Sequence, residues 1–326
     1  MSLSTLSDNL LYIAILAYLG AMMLHTADYA LMRRRPAVAA PAEAKVLVGA
    51  GGPEVAVNPI EDVQAPPAAP ERRDWAPLFG KLAVWMTGLA VLLHFTTTAT
   101  RGLAAHRMPW GNMYEFVLSV TLVGGAAWLV VAIRKPQVRR LGIVLTLVEM
   151  LLLGFAGLVL YTQVNPLVPA LQSYWFVIHV TSVVLASGLF LVGFVPSAAF
   201  LIRDGYDAGK RRFPYSLGGR LPAADAMERL AFGIQAFAFP IWTFGVAAGA
   251  VWAEAAWGRY WGWDPKETWA FISWVVYAGY LHARSTPSMN RRLVAWIAII
   301  GWLTMLMNLF GVNFFFTGLH SYAGVQ

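Results

Sequence analysis

The sequence predicts an all-α polytopic membrane protein: a bundle of about eight transmembrane helices with both termini outside and a tryptophan-rich external loop. Hydrophobic residues make up 58% of the 326 residues and charged residues only 13%, about half of the usual charged share in a soluble domain. An apolar excess of this size indicates a lipid-facing surface. The third observation is that the basic residues are concentrated in alternate loops between apolar stretches.

Eight apolar stretches approach the length of about 20 residues that a bilayer-spanning helix requires. The first is not interpreted as a cleavable signal peptide, because no basic residue precedes it and three arginines follow it. The seventh is short and contains His282, and it is retained because another apolar run follows it after a basic loop. The predicted spans are 9–32, 78–100, 113–133, 141–161, 174–202, 230–252, 268–284 and 293–316.

The positions of lysine and arginine predict the orientation. Most of the 24 basic residues lie in the loops that follow the first, third, fifth and seventh predicted helices. Cytoplasmic loops carry such an excess of basic residues, so both chain termini are predicted to lie outside. The net charge of +7 has the same explanation, and it does not indicate nucleic-acid binding.

The chain is predicted to have three parts. Residues 1–32 form the first transmembrane helix. Residues 33–77 are rich in proline and alanine without a helical period, which predicts a flexible cytoplasmic linker. Residues 78–326 form a seven-helix core that contains the tryptophan-rich segment 252–269. The absence of cysteine excludes thiol exchange and thiolate metal sites on this chain.

The predicted loop between the sixth and seventh helices is unusually rich in tryptophan. Glycines interleaved with these residues would let a large planar ligand approach the backbone, so the loop predicts a flat aromatic platform for such a ligand. The alternative is an aromatic belt at the membrane interface, although a belt is usually spread over many helix ends. The tryptophans are Trp252, Trp257, Trp261, Trp263 and Trp269.

Two histidines are predicted to lie on the same side as this loop. His320 follows the eighth predicted helix, and His179 lies about one turn inside the fifth. Two imidazoles beside an aromatic platform suit the axial ligation of a haem iron, with the macrocycle lying against the indoles. The alternative for a helix histidine is an ordinary hydrogen-bonded packing residue.

A second pair of histidines is predicted deeper in the membrane. At 1.5 Å per residue, His282 and His25 lie roughly 22 and 24 Å from the outer ends of their helices. Equal depth permits a bis-histidine site near the cytoplasmic side, and ionisable residues within a membrane are functional candidates by default. Depth alone does not show that the first and seventh helices touch. No role is assigned to His94 or His106.

Charged residues near the outer helix ends allow two interpretations each. Arg101 and Arg107 could bind a haem propionate through the planar guanidinium, or they could anchor their helix ends at the interface. Glu115 could be a cap of the third helix only. Asp264 and Glu267 precede the seventh predicted helix, so they too could be caps.

Three motifs within residues 78–326 resemble a family of haem-handling membrane proteins. The segment from Trp257 to Asp264 matches the WWD signature Trp-Gly-x-x-Trp-x-Trp-Asp and continues as Pro-Lys-Glu-Thr-Trp. A Pro-x-x-Asn-x-Tyr-Glu element begins at Pro109, and a His-Ser-Tyr element begins at His320. These motifs resemble the CcsA/ResC family of system II cytochrome c biogenesis, also called CcsB in some bacteria. The length and the continuation after the signature favour this family over CcmC and CcmF.

The resemblance implies roles for the histidines. His179 and His320 would be the two external haem ligands, and His282 would be the transmembrane haem ligand of this subunit. Haem would pass from the transmembrane site to the tryptophan platform, which includes Asp264. In this family the fourth histidine usually comes from a ResB/Ccs1-like partner subunit, which competes with the proposal for His25.

The resemblance also implies the function. Haem b would be a bound substrate, joined by thioether bonds to the Cys-x-x-Cys-His motif of an apocytochrome c. The chain would be the haem-binding subunit of a cytochrome c synthase, or haem lyase, in the bacterial plasma (inner) membrane with its active face outside. Separate thiol-reducing proteins would supply reduced substrate cysteines.

Three other functions remain as alternatives. A haem transporter without a ligation role would use the same histidines as a relay. A quinol-oxidising cytochrome b usually requires paired histidines on facing helices of one bundle, which these scattered positions do not favour. The last alternative is a structural protein, in which the tryptophans form a membrane belt and bind nothing.

Overall fold

The computed structural model describes residues 2–31 and 75–320, and these form an all-α bundle. Within these two ranges the regular elements are helices, with no strand. Most of the predicted linker 33–77 lies outside the described residues. The helices are α1 (Leu3–Leu31), α2 (Ala76–Ala105), α3 (Met113–Arg134), α4 (Gly142–Val159), α5 (Tyr174–Asp207), α6 (Ala224–Trp257), α7 (Pro265–Ser285), α8 (Arg291–Leu306) and α9 (Val312–Phe315).

Seven spans among the described helices are long and apolar enough to cross a membrane: α1 to α6, and the segment Arg291–Phe315 in which a π turn joins α8 to α9. α7 is less apolar, but its 21 residues are long enough to cross. Its ends also lie far apart. Asp264, just before α7, contacts His320, which follows α9. Arg284, near the end of α7, instead pairs at 3.0 Å with Glu228 near the start of α6. The polytopic bundle is confirmed, while eight spans and outside termini remain predictions.

The bundle has two chemically different ends, which we name for what they carry. The tryptophan end contains the loops 106–112 and 258–264. The basic end contains the loops 135–141 and 208–223, and several arginines at this end pair with acids of the chain. At this end Arg139 Nε lies 3.4 Å from the carboxylate of Asp28, which is fully buried.

Helix packing divides the bundle into two halves. In the first half α1 packs along α2 and against α4, and α3 packs against α4. In the second half α5 packs along α6, and α7 packs along α8. Contacts of α5 with α3 connect the halves, and α8 packs against α5 within the second half. The buried face of α1 recurs every three or four residues, as expected for a packed helix seam. That face consists of Ser7, Leu11, Ala14, Tyr18, Ala21, His25 and Asp28.

The loop after α6 is shorter than the sequence predicted. α6 continues to Trp257, so Trp252 and Trp257 lie on a helix, and Trp269 lies in α7. Gly258 ends α6 with a φ of 71°, a left-handed conformation that glycine adopts without steric cost. The loop itself is therefore only 258–264. This correction matters because the helix, not a loop, holds Trp252 against α5.

Candidate functional site

A cavity lies at the tryptophan end, with walls from α3, α5, α6, α7 and α8. His179 and His320, the two predicted external ligands, both line it. Most of the wall is apolar and aromatic, with a few polar groups, which is typical of a small-molecule site. Six tryptophans contribute to the wall: Trp110, Trp242, Trp252, Trp257, Trp261 and Trp302.

His179 is fixed by contacts on two sides. α5 begins at Tyr174, where Ser173 caps the helix by accepting a hydrogen bond from the Trp175 N–H at 3.2 Å. One turn later, His179 Nδ1 donates a hydrogen bond to the Gly245 carbonyl of α6 at 2.7 Å. The ring also stacks on the indole of Trp252, with centroids 5.7 Å apart and planes 13° apart. This bond places the ring proton on Nδ1, so Nε2 is the nitrogen that would ligate a metal.

His320 is oriented by Asp264. Its Nδ1 donates a hydrogen bond to Asp264 Oδ2 at 2.8 Å, and Oδ1 of the same carboxylate accepts from the Leu319 N–H at 2.7 Å. Asp264 is also the N-cap of α7 and forms a capping box with Glu267. The cap interpretation is therefore right for both residues, but Asp264 has a second task that the sequence did not reveal.

The protonation states suit a metal ligand. Burial lowers the pKa of His320, although the hydrogen bond to Asp264 acts in the opposite direction. The imidazole is therefore neutral at pH 7, which is the form that binds metals. Burial raises the pKa of Asp264, but the hydrogen bonds from His320 and Leu319 outweigh it, and the pKa lies below its usual value. Because the ionised carboxylate only accepts, the His320 proton is on Nδ1.

The tryptophans surround the histidines and do not form the predicted flat platform. The indoles of Trp252 and Trp257 have centroids 4.9 Å apart and planes 61° apart, and those of Trp261 and Trp263 are nearly perpendicular at 89°. Trp252 and Trp257 each meet the His320 ring, at 5.8 and 5.0 Å between centroids. Of the predicted platform, Trp263, Asp264 and Trp269 do not line the cavity.

Arg101 and Arg107 bind a carboxylate of the chain itself. Arg101 Nε donates to Glu115 Oε1 at 3.1 Å, and Arg107 Nη1 donates to Glu115 Oε2 at 2.6 Å. The side chains of Arg101 and Glu115 are fully buried. Neither arginine lines the cavity with the two histidines. The structure therefore does not support their predicted contact with a propionate, and it shows Glu115 as more than a cap.

Glu267 holds its loop in the same way as Glu115, which sequence analysis missed. Glu115 Oε2 accepts from the Gly111 N–H at 2.8 Å, and Glu267 Oε2 accepts from the Gly262 N–H at 2.9 Å. Each glycine follows a tryptophan of the cavity wall. Each glutamate also pairs with an arginine, Arg107 for Glu115 and Arg259 for Glu267. The sequence signal was the repeated order of arginine, Trp-Gly and glutamate in the two segments.

Lys266 is a cavity residue that sequence analysis did not single out. It lies in the first turn of α7 and lines the cavity with His179 and His320. Its Nζ donates to the Asn308 carbonyl in the π turn at 3.3 Å. An ammonium in this wall supplies the positive charge that an anionic group of a ligand would need.

The predicted pairing of His25 with His282 is not found among the residues that the structure describes. His25 is fully buried, and its Nε2 lies 3.3 Å from Thr87 Oγ1. It packs against Gly142 at the start of α4. His282 is exposed on α7, which packs against α6 and α8. Similar depth did not place the two helices together, and the role of His282 as a haem ligand stays a prediction.

Residues 110–320 of the chain match the family model described as cytochrome C assembly protein. Curated relatives named cytochrome c biogenesis protein CcsA are similar over most of the chain. The protein of Trieres chinensis is 33% identical over 262 residues, which is 72% of this chain and 84% of the relative. The protein of Crocosphaera subtropica is 33% identical over 300 residues, with 76% and 88% covered. That of Gloeobacter violaceus is 30% identical over 301 residues, with 76% and 87% covered.

A solved structure named cytochrome c heme lyase CcmF has a similar fold. The two chains superimpose with a TM-score of 0.60 and 16% sequence identity. The match covers 95% of this chain and 47% of the other, so this chain spans about half of its length. At 16% sequence identity, this structural similarity supports a common fold.

Proposed function

The chain belongs to the cytochrome c assembly protein family, and from this premise we propose that it presents haem b for thioether attachment to apocytochrome c. The chain is a multi-pass membrane protein. The observation that carries the proposal is that His179 and His320 line one cavity and each has Nδ1 bound to a protein acceptor. A carbonyl or carboxylate on the other ring nitrogen is the usual support of a metal-ligating histidine.

The residues of the cavity fit a haem. Neutral imidazoles are common axial ligands of haem iron. Indoles on several sides offer apolar contacts to the macrocycle, and Lys266 offers a cation to a propionate. Haem is the substrate in this proposal, held until it leaves with the product.

The chemistry belongs to the haem and the thiols, and the chain supplies position. Each cysteine S–H adds across one haem vinyl group, so that a C–S bond forms at one carbon and the hydrogen goes to the other. No oxidant or reductant is consumed in this addition. His179 and His320 would fix the iron, and the tryptophans would fix the plane of the macrocycle with its vinyl edge accessible.

Release of the product requires that one iron ligand be exchanged for the histidine of the Cys-x-x-Cys-His motif. His179 lies within α5, whereas His320 lies on the non-helical segment after α9. We therefore assign the exchange to His320. Its hydrogen bond with Asp264 would return the ring to the same place for the next haem.

The remaining parts of the proposal concern the partners and the location. A ResB/Ccs1-like subunit would supply the histidine that completes a transmembrane haem site with His282, and the exposure of His282 on α7 supports such a contact. Separate thiol-reducing proteins would act on the apocytochrome. The tryptophan end would face the outside of the bacterial inner membrane.

Visible absorption spectra of the detergent-purified chain test the proposal, in the oxidised and the reduced state. We expect a low-spin b-type spectrum that weakens or shifts in His179→Ala and in His320→Ala. His106→Ala is the matched control, because His106 is an exposed histidine at the same end of the bundle. An unchanged spectrum in both site variants would refute the assigned ligands.

A maturation assay in cells separates ligation from transport. Loss of holocytochrome c in the His179 and His320 variants, at normal expression, supports the role in attachment. The alternative, a haem transporter without a ligation role, predicts haem export that does not depend on an apocytochrome.

A further inference from the structure

A cluster of titratable side chains lies in the first half of the bundle, away from the cavity. Glu149 of α4 is fully buried, and neither carboxyl oxygen has a hydrogen-bond partner among the described residues. Two consecutive glycines of α3 make room here. A Cβ on Gly124 would stand 2.9 Å from Glu149 Oε1, and a Cβ on Gly125 would stand 2.6 Å from Tyr18 Oη. The side chains of Glu149 on α4 and Tyr18 on α1 therefore pack against adjacent positions of α3.

Tyr18 also contacts a histidine of α2. Its Oη lies 3.4 Å from His94 Nδ1, and the two rings meet edge-on with centroids 6.0 Å apart. Both residues are fully buried. Around Glu149, α1 contributes Tyr18, α3 contributes Gly124 and α5 contributes Leu191. None of these carries a positive charge.

The chemistry of this position favours a bound proton. An ionised carboxylate without a partner is costly in a low-dielectric interior, and a neutral carboxylic acid costs much less. Burial at this position therefore favours the protonated, neutral form of the Glu149 carboxyl group. Ionisable residues inside a membrane commonly mark proton relays and ion paths.

Buried residues of α4 and α1 continue from the cluster toward the basic end. Along α4, Thr146 lies about one turn before Glu149 and Gly142 one turn before Thr146, and all three are buried. His25 packs against Gly142, and its Nδ1 has no partner among the residues described. Asp28 lies one turn further along α1 and pairs with an arginine of the loop before α4.

A similar series reaches the tryptophan end. Thr97 and Arg101 follow His94 along α2 at spacings of about one turn each. Ser7 Oγ donates to the Thr97 carbonyl at 2.9 Å, and Arg101 pairs with Glu115. All of these side chains are buried. The first half thus contains a series of buried polar groups that extends along its whole length and is surrounded by apolar residues.

We propose that Glu149, Tyr18 and His94 form a proton-binding site within the membrane, which the buried polar side chains of α1, α2 and α4 connect to both ends of the bundle. The proton is held on the Glu149 carboxyl and is exchanged through Tyr18 and His94 toward the tryptophan end and through Thr146 and His25 toward the basic end. This site is separate from the haem cavity, and the inference does not depend on haem binding.

Infrared spectroscopy of the full-length chain in lipid nanodiscs tests the site. At pH 7, well above the ordinary glutamate pKa of about 4.3, we expect the carbonyl band of a protonated carboxyl that shifts in D2O. Glu149→Gln should abolish this band, and Glu149→Asp should shift it. Glu254→Gln, which changes an exposed carboxylate on α6, should leave it unchanged. The amide bands and a monodisperse elution profile report that each variant is folded.

The rate of deuterium exchange at that band tests the connections. The double variant His94→Phe/Thr146→Val interrupts both directions, and we expect it to retain the band and to slow its exchange. Ser197→Ala, a buried serine of the second half, is the matched control. A missing band at pH 7, a band that survives Glu149→Gln, or unchanged exchange in the double variant would each overturn the proposal. Failure of the haem proposal would appear as unchanged visible spectra in His179→Ala and His320→Ala, and it would leave this infrared band in place.

Discussion

His320 Nδ1 donates a 2.8 Å hydrogen bond to the carboxylate of Asp264, the residue that also caps α7. One side chain therefore determines where α7 begins and how the second predicted iron ligand is oriented. The two residues are 56 positions apart in the sequence. This contact ties the end of the described chain to the loop at 258–264 and completes the cavity at the tryptophan end.

Asp264→Asn separates the two tasks of Asp264. Asparagine is as good an N-cap as aspartate, so α7 should keep its start and the fold its stability. The ionised acceptor for His320 Nδ1 is lost, and changes of this kind typically cost about 10- to 100-fold in metal affinity. Haem titration followed by visible absorption measures the loss. Asp207→Asn at the basic end is the control, and equal haem affinity in both variants would leave Asp264 as a cap only.

Gly249→Ala should displace His179 without removing it. A Cβ at this position of α6 would stand 2.7 Å from both Nδ1 and Cε1 of the imidazole, so the ring must move and its bond to the Gly245 carbonyl must weaken. Gly233→Ala makes the same change on the same helix where a Cβ would meet nothing within 4 Å. We expect a weaker or shifted haem spectrum in the first variant only.

The control variant Gly233→Ala has an expected outcome of its own. Alanine is better than glycine in a helix interior by about 1 kcal/mol, so Gly233→Ala should bind haem normally and unfold at the same or a higher temperature. Normal haem binding in Gly249→Ala would show that His179 has room to shift, or that it is not a ligand.

The helices could be predicted from the sequence, because long apolar stretches and the distribution of basic residues mark them directly. The end of α6 could not be predicted as well. Trp252 and Trp257 lie in a segment rich in tryptophan and glycine, which suggested a loop, yet no residue before Gly258 stops the helix.

The candidate site could be predicted only in part. His179 and His320 were predicted to share one end of the bundle with the tryptophans, and the structure places both in one cavity, while their role as haem ligands stays a prediction. The permitted pairing of His25 with His282 is not found among the described residues, because depth fixes only one coordinate and neighbouring helices are set by packing. The bonds of Arg101 and Arg107 to Glu115 were missed for the same reason, because sequence position does not report which buried groups meet.

Glu115 should be among the residues whose removal destabilises the fold most. Its carboxylate pairs with Arg101, and both side chains are fully buried. Removing one partner of a buried pair typically costs about 3–5 kcal/mol, because the other charge stays buried and unpaired. We expect Glu115→Ala to lower the apparent Tm in detergent strongly. Glu115→Gln, which retains hydrogen-bond acceptors, should lower it less.

A surface pair supplies the comparison for Glu115. Asp207 and Arg203 form an i,i+4 pair at 2.9 Å on the partly exposed end of α5, and such pairs contribute about 0.3–0.5 kcal/mol. Asp207→Ala should therefore change the apparent Tm little. Similar Tm values for Glu115→Ala and Asp207→Ala would contradict the assigned importance of the buried pair.

His282→Ala and His25→Ala should behave differently, and the difference decides how the deeper haem site is built. His282 is exposed on α7, so a partner subunit could complete a site with it, and His282→Ala should reduce haem content only when the chain is co-purified with a ResB/Ccs1-like subunit. His25 fills a buried space beside Thr87 and Gly142, so His25→Ala should lower the apparent Tm and leave the haem spectrum unchanged. Haem quantified per chain, with and without the partner, measures both effects. If His25→Ala and His282→Ala remove the same haem signal from the chain without its partner, the two histidines form one site and the helix packing described for α1 and α7 must change on binding.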